Sequence, residues 1–142
     1  MRALLDVNVL IALLDASHSM HRRATKWFGE EAAKGWASCP ITQNGCVRIM
    51  SHPGYPSSLS VNEIIQRLRE PCLSTVHEFW PDDVSMLDPT IADATRIHGP
   101  RQITDLYLLA LAVRRGGRFV TFDESIAIDA ARGATRKHLV TL

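Results

Sequence analysis

The chain is short of most features that would narrow its chemistry at once. It has three cysteines among 142 residues, Cys39, Cys46 and Cys72, an odd number without CxxC spacing. Neither a disulfide framework nor a cysteine-built zinc site is expected, and buried or incidental thiols are what remain. There is no surplus of charge, since 16 Lys and Arg stand against 15 Asp and Glu for a formal net charge of +1. Net charge of that size gives no strong nonspecific attraction to nucleic acid, so such binding would need a local basic patch. Apolar runs such as Val9 to Leu14 fall far short of the ~20 residues of a membrane-spanning helix. Asp6 interrupts what would be the apolar part of a signal peptide, which makes the cytoplasm the expected location. The GxxxxGK[ST] loop is missing, as is any recognisable nucleophile motif. Those absences speak against P-loop nucleotide hydrolysis and against Ser-His-Asp or Cys-His catalysis.

What is present suits one α/β domain over residues 1–142, without repeats or linkers. Apolar residues make up 46% and charged residues 22%, enough to bury a core. Ala3-Leu4-Leu5 is a short apolar run ended by Asp6, and Val7 to Ala16 reads as helix. A second helix is expected from about Met20 to Lys34, a strand over Trp36 to Cys39, and a helix capped by Thr42 running to Met50. His52 to Ser58 is a loop. Ser60 with Glu63 forms a capping box for a helix carrying Val61, Ile64, Ile65 and Leu68 on one face. The pattern further predicts a strand over Ser74 to Trp80, a helix over Thr90 to His98, and a strongly apolar helix from Asp105 to Arg115 capped by Thr104. That helix stops at Gly116-Gly117. Arg118 to Phe122 alternates as a strand does, Ser125 to Arg132 reads as a short helix, and His138 to Leu142 as a last strand. Strands alternating with helices point to a largely parallel sheet, in an order that this pattern leaves open.

Three aspartates share a local setting. Asp6 and Asp123 each follow an apolar run, and Asp105 stands in the first turn of the most apolar helix. Singly, each is well explained as a helix cap. Together they have a second reading, because junctions after parallel strands lie on one edge, where such folds place their sites. Carboxylates gathered there would repel, and a divalent cation is the simplest neutraliser. Oxygen ligands without cysteine or histidine favour magnesium or manganese over zinc. His18 and His21 stand at i,i+3 without an accompanying ligand and read as a solvated helix start.

These residues also carry a resemblance. Leu4 to Leu14 (LLDVNVLIALL) resembles the opening motif of PIN domains, and Thr42 to Pro53 (TQNGCVRIMSHP) their middle motif. Ile103 to Ala112 (ITDLYLLALA) and Gly116 to Asp123 (GGRFVTFD) resemble their C-terminal acidic motifs. Order, spacing and size most resemble the VapC-like toxins of bacterial toxin–antitoxin pairs. The resemblance implies a three-layer α/β/α fold and a metal-dependent endoribonuclease. It further implies a homodimer held inactive by a cognate VapB-like antitoxin. Asp6, Asp105 and Asp123 match the family's acidic positions as Mg²⁺ (or Mn²⁺) ligands, with Asn8, Thr104 and Thr121 as supporting residues. Position 43 departs, since the family commonly has glutamate where this chain has Gln43. An amide there would bring oxygen but no charge, which puts a second metal in doubt.

Candidate RNA-binding residues are Arg114, Arg115 and Arg118, with Arg22, Arg23 and Lys26 as a second basic group, against the alternative of ordinary solvated faces. Among the aromatics Trp27, Trp36, Tyr55 and Trp80, only the loop residue Tyr55 is not first assigned to packing. Two other functions stay open at this stage. Gln43 motivates a catalytically weak PIN-fold module that binds RNA or protein. An aspartate after a first strand also suits phosphotransfer domains, but Asn8 stands where the phosphatase pattern wants an acid.

Overall fold

The computed structural model describes all residues 1–142, and its centre is a five-stranded sheet. Strand β1 is Ala3–Leu5, β2 Trp36–Ser38, β3 His77–Phe79, β4 Arg118–Thr121 and β5 Leu139–Thr141. They lie in the order β3-β2-β1-β4-β5 and every neighbouring pair is parallel. The helices are α1 (Val7–Leu14), α2 (His21–Glu31), α3 (Pro40–Met50), α4 (Val61–Cys72) and α5 (Ile103–Arg114).

Alternation along the strands explains the layers. Ala3, Leu5, Trp36 and Val120 pack with Val9, Leu10, Cys46, Met50, Ile64 and Leu68 of α1, α3 and α4. Leu4, Ala37 and Phe119 point to the other face, against Leu108, Leu109, Leu111 and Ala112 of α5. The sheet is thus covered on both faces, as the three-layer expectation required, and β1 is apolar throughout because neither face meets water. The progression of strand order reverses about β1. The connections to β2 and β3 run one way and those to β4 and β5 the other, leaving a crevice beyond the carboxyl ends of β1 and β4.

Two glycines have jobs here. Gly116 (φ +67°) ends α5, and the Gly117 N–H bonds the Ala112 carbonyl at 2.8 Å while Gly116 N–H bonds Val113 at 3.0 Å. Gly45, in mid-α3, lets α1 come close: a Cβ there would sit 2.7 Å from Val7 Cγ2.

Several sequence expectations shift. Helix α3 begins at Pro40, not after Thr42, and the Thr42 hydroxyl instead accepts the Cys39 N–H at 3.0 Å. Helix α5 begins at Ile103, so Thr104 is a first-turn residue and not its cap. The helix expected over Thr90 to His98 is only a 3₁₀ turn at Ala94–Arg96. Its backbone N–H groups are taken by side chains, Asp88 accepting from Thr90 N at 2.8 Å and Asp93 from Thr95 N at 3.1 Å. For Ser125 to Arg132 the helix shrinks likewise to a 3₁₀ turn, Ile128–Ala130. Ile64 and Leu68 are core residues, leaving Ile65 and Val61 as the exposed apolar positions of α4. The thiols are free, and burial pushes Cys39 up to about 11 and Cys46 up to about 12. No helix is long and apolar enough to cross a membrane.

Candidate metal and nucleic-acid site

Leu5 pairs with Val120, so the next residue of each strand, Asp6 and Thr121, face each other across the sheet edge. Asp6 is 6% exposed and serves as N-cap of α1. Its Oδ1 accepts the Val7 N–H at 2.7 Å and its Oδ2 accepts the Thr121 hydroxyl at 2.6 Å. Thr121 Oγ1 in turn accepts the Asp123 N–H at 3.1 Å and the Asn8 amide at 3.4 Å. One hydroxyl therefore ties three of the expected site residues together. Asp6 is an N-cap, and the same carboxylate lines the acidic cavity.

Asp123 leaves β4 in a tight turn whose Oδ1 accepts the Ser125 N–H and hydroxyl, both at 2.7 Å. Those bonds hold its carboxyl below the usual value, and a further bond joins it to Asp105. Asp105 comes from the first turn of α5, across the crevice, and lines two adjoining cavities. One, of about 350 Å³, it shares with Asp6, Asn8, Thr104 and Arg48; the other, of about 160 Å³, with Asp123, Ser125 and Arg101. Burial, then the charge of Asp6, then Asp123 push its carboxyl up to about 7. Burial also raises Asp6. Without a cation, the pocket answers its own repulsion by keeping a proton on Asp105.

The donors fit a hard divalent cation. They are all oxygens, and Asn8 Oδ1 is a buried acceptor without a partner beside the carboxylates. Asp6, Asp105 and Asp123 do not come together as a group of three ligands around one point.

The remaining candidates lie elsewhere. Gln43 donates its amide to Ser38 Oγ at 2.9 Å, which also meets His77 Nε2 at 2.8 Å, and it borders the α3–α4 groove. It does not line the acidic cavity. Arg114, Arg115 and Arg118 are not brought to the acidic crevice either. They sit at the far end of α5 and the start of β4, some ~15 Å of helix from Asp105. Arg115 pairs with Asp83 at 2.7 Å; Arg118 pairs with Glu31 at 2.7 Å and lies over the Trp27 ring. The basic residues that do border the acids, Arg48 and Arg101, were not singled out from sequence. Arg48 was within reach of helical spacing: Ile41, Gly45 and Arg48 stand at i, i+4, i+7 and share the acidic cavity.

A family model described as PIN domain matches residues 3–131. Ribonuclease VapC44 of Mycobacterium tuberculosis (strain ATCC 25618 / H37Rv) is 56% identical over 142 residues, 100% of both chains. Ribonuclease VapC39 of the same strain is 42% identical over 134 residues, 94% of this chain and 96% of its own. The crystal structure of M. tuberculosis VapC20, described as a sarcin-ricin loop cleaving toxin, superposes with TM-score 0.62 at 11% identity, covering 91% of this chain and 98% of that one. VapBC2 from Rickettsia felis, bound to a DNA fragment from their promoter, gives TM-score 0.58 at 13% identity over 87% and 89%. At those identities the two structures speak to the fold alone.

Proposed function

Because this chain belongs to the PIN-domain family, and within it to the VapC family, we propose that it is a divalent-metal-dependent endoribonuclease that hydrolyses RNA phosphodiester bonds. The observation that carries the reading is the carboxylate set at the sheet's reversal point, where Asp6, Asp105 and Asp123 line two adjoining cavities and Asp105 is pushed up to about 7, first by burial and then by Asp6 and Asp123. A structural pair of caps would have no reason to collect that much like charge.

A bound Mg²⁺, with Mn²⁺ as the alternative, would supply a coordinated water of lowered pKa and positive charge beside the scissile phosphate. Asp6, Asp105 and the Asn8 carbonyl oxygen are the residues to hold it, with Asp123 completing or orienting the set. Thr121 aims Asp6 by donating to Oδ2, a bond that partly offsets the upward push of burial on that carboxyl. Ser125 keeps Asp123 ionised by donating to Oδ1, so the proton of the group resides on Asp105.

The same reading includes a cytoplasmic protein, a homodimer, and a VapB-like antitoxin as inhibitor. The α3–α4 groove, of about 670 Å³, is lined by Val47, Val61, Ile65 and Leu68 together with polar residues such as Gln43, Arg48 and Arg69, an amphipathic surface suited to such an antitoxin's helix. The weak-binding-module alternative loses its motive if Gln43 works with Ser38 rather than with the carboxylates. The test is incubation of purified protein with RNA in Mg²⁺, in Mn²⁺ and in chelator, beside Asp6→Asn. Metal-dependent cleavage lost in a folded Asp6→Asn protein supports the reading. Equal cleavage by both proteins overturns it.

A further inference from the structure

We propose that the cavity between the last turn of α3 and the loop after it is a nucleotide subsite. It would take the base of a single-stranded RNA residue beside the bond to be cut, with Arg48 on the intervening phosphate. The proposal rests on the ribonuclease reading and says where its substrate lies. The cavity, of about 460 Å³, is lined by Arg48, Ile49, His52, Gly54, Tyr55 and Pro56. Arg48 and Ile49 also line the acidic cavity, so the two spaces adjoin at these residues of α3.

Its walls are the kind a base needs: flat rings, an apolar floor and a free donor. Ile49 is 40% exposed, an apolar side chain left open at the floor. The Tyr55 hydroxyl donates to the Asp15 carboxylate at the end of α1, which fixes the ring and makes the loop a rigid wall. His52 Nδ1 accepts the Gly54 N–H at 2.9 Å, which places the ring proton on Nε2 of an exposed imidazole. Arg48 is exposed and forms no ion pair, although it borders Asp6 and Asp105. A guanidinium at the rim without a carboxylate partner remains available to a polyanion, and an RNA phosphate passing between base pocket and acidic cavity would meet it. Arg101, bordering Asp105 and Asp123, offers a second such contact on the opposite side.

The test is equilibrium binding of a short fluorescent single-stranded oligoribonucleotide, followed by anisotropy in chelator so that cleavage is not required. Arg48→Gln should weaken binding about tenfold and reduce the slope of log affinity against log salt by about 0.7, one phosphate contact. His52→Ala should weaken binding about tenfold and His52→Phe should restore it, because stacking tolerates any aromatic. Variants that bind as the wild type does overturn the subsite, as does failure of His52→Phe to recover. The two readings separate cleanly: weakened binding without Mg²⁺-dependent cleavage by the wild type keeps the subsite and removes the ribonuclease, while cleavage with unchanged variant binding does the reverse.

Discussion

Replacing Asp105 with asparagine should stabilise the metal-free protein at pH 8 and do so by only about a third as much at pH 5. The Asp105 carboxyl is pushed from 3.8 up to about 7, first by burial and then by Asp6 and Asp123. Between those values the folded protein keeps a proton that the unfolded chain has released, so stability falls as pH rises from about 4 and levels off above about 7. At about 1.4 kcal/mol for each pH unit of the window, the fully shielded limit is about 4 kcal/mol. Asp105 is only half-buried, and solvent screening leaves about 1–2 kcal/mol of that. Asparagine carries no charge at any pH, and its amide N–H can donate to Asp123 where the proton did. In thermal denaturation with chelator, Asp105→Asn should therefore gain about 3–8 °C over the wild type at pH 8. At pH 5 most of that gain should vanish. Saturating Mg²⁺ at pH 8 should raise the wild type by an amount equivalent to about 2.7 kcal/mol at a hundredfold excess over Kd, and the variant by less. An equal gain at both pH values, or a loss at both, would refute the idea that carboxylate repulsion loads this pocket.

Gly45→Ala puts a methyl 2.7 Å from the stiff Val7 side chain and should cost about 1–3 kcal/mol in chemical denaturation, moving α3 from the residue next to Asp6. Gln43→Glu should leave the Mg²⁺ dependence of cleavage superimposable on the wild type, since Gln43 bonds Ser38 outside the acidic cavity; a lower Mg²⁺ requirement would return it to the metal site. Arg118→Gln should lower the melting temperature slightly, through loss of the Glu31 pair and the Trp27 stack, and leave RNA affinity unchanged; a tenfold weaker affinity would place RNA at the amino ends of the strands.

The acidic pocket was legible because its parts obey strong local rules. Asp6 and Asp123 follow apolar runs too short to be anything but strand ends, and parallel strands put such ends on one edge. Asp105 opens the most apolar helix in the chain. Strand order is different, because it depends on which strands pair; the reversal about β1 is visible only in the pairing of β1 with both β2 and β4. The segment from Asp88 to Gln102 misled for a physical reason. Its composition permits a helix, but Asp88 and Asp93 each seize the N–H and hydroxyl of a threonine two residues on. The same Asp-x-Ser geometry at Asp123 and Ser125 is what fixes a site carboxylate, so one rule explains both the misreading and a missed site residue.

Gln43 and Arg48 show what a short motif conceals. Read as a string, position 43 falls where a glutamate is common in the family and so invites assignment to the metal. Read as a helix starting at Pro40, it lies two residues before Gly45, about 200° around the axis. Gly45 is fixed against α1 by the lack of a side chain, as the 2.7 Å approach of Val7 requires. The face through Ile41, Gly45 and Arg48 must then look toward Asp6, and Gln43 must look toward Ser38 and α4. The glycine that weakens α3 as an isolated helix thus sets its rotation, and through that rotation it gives the acidic cavity an arginine and takes from it a glutamine.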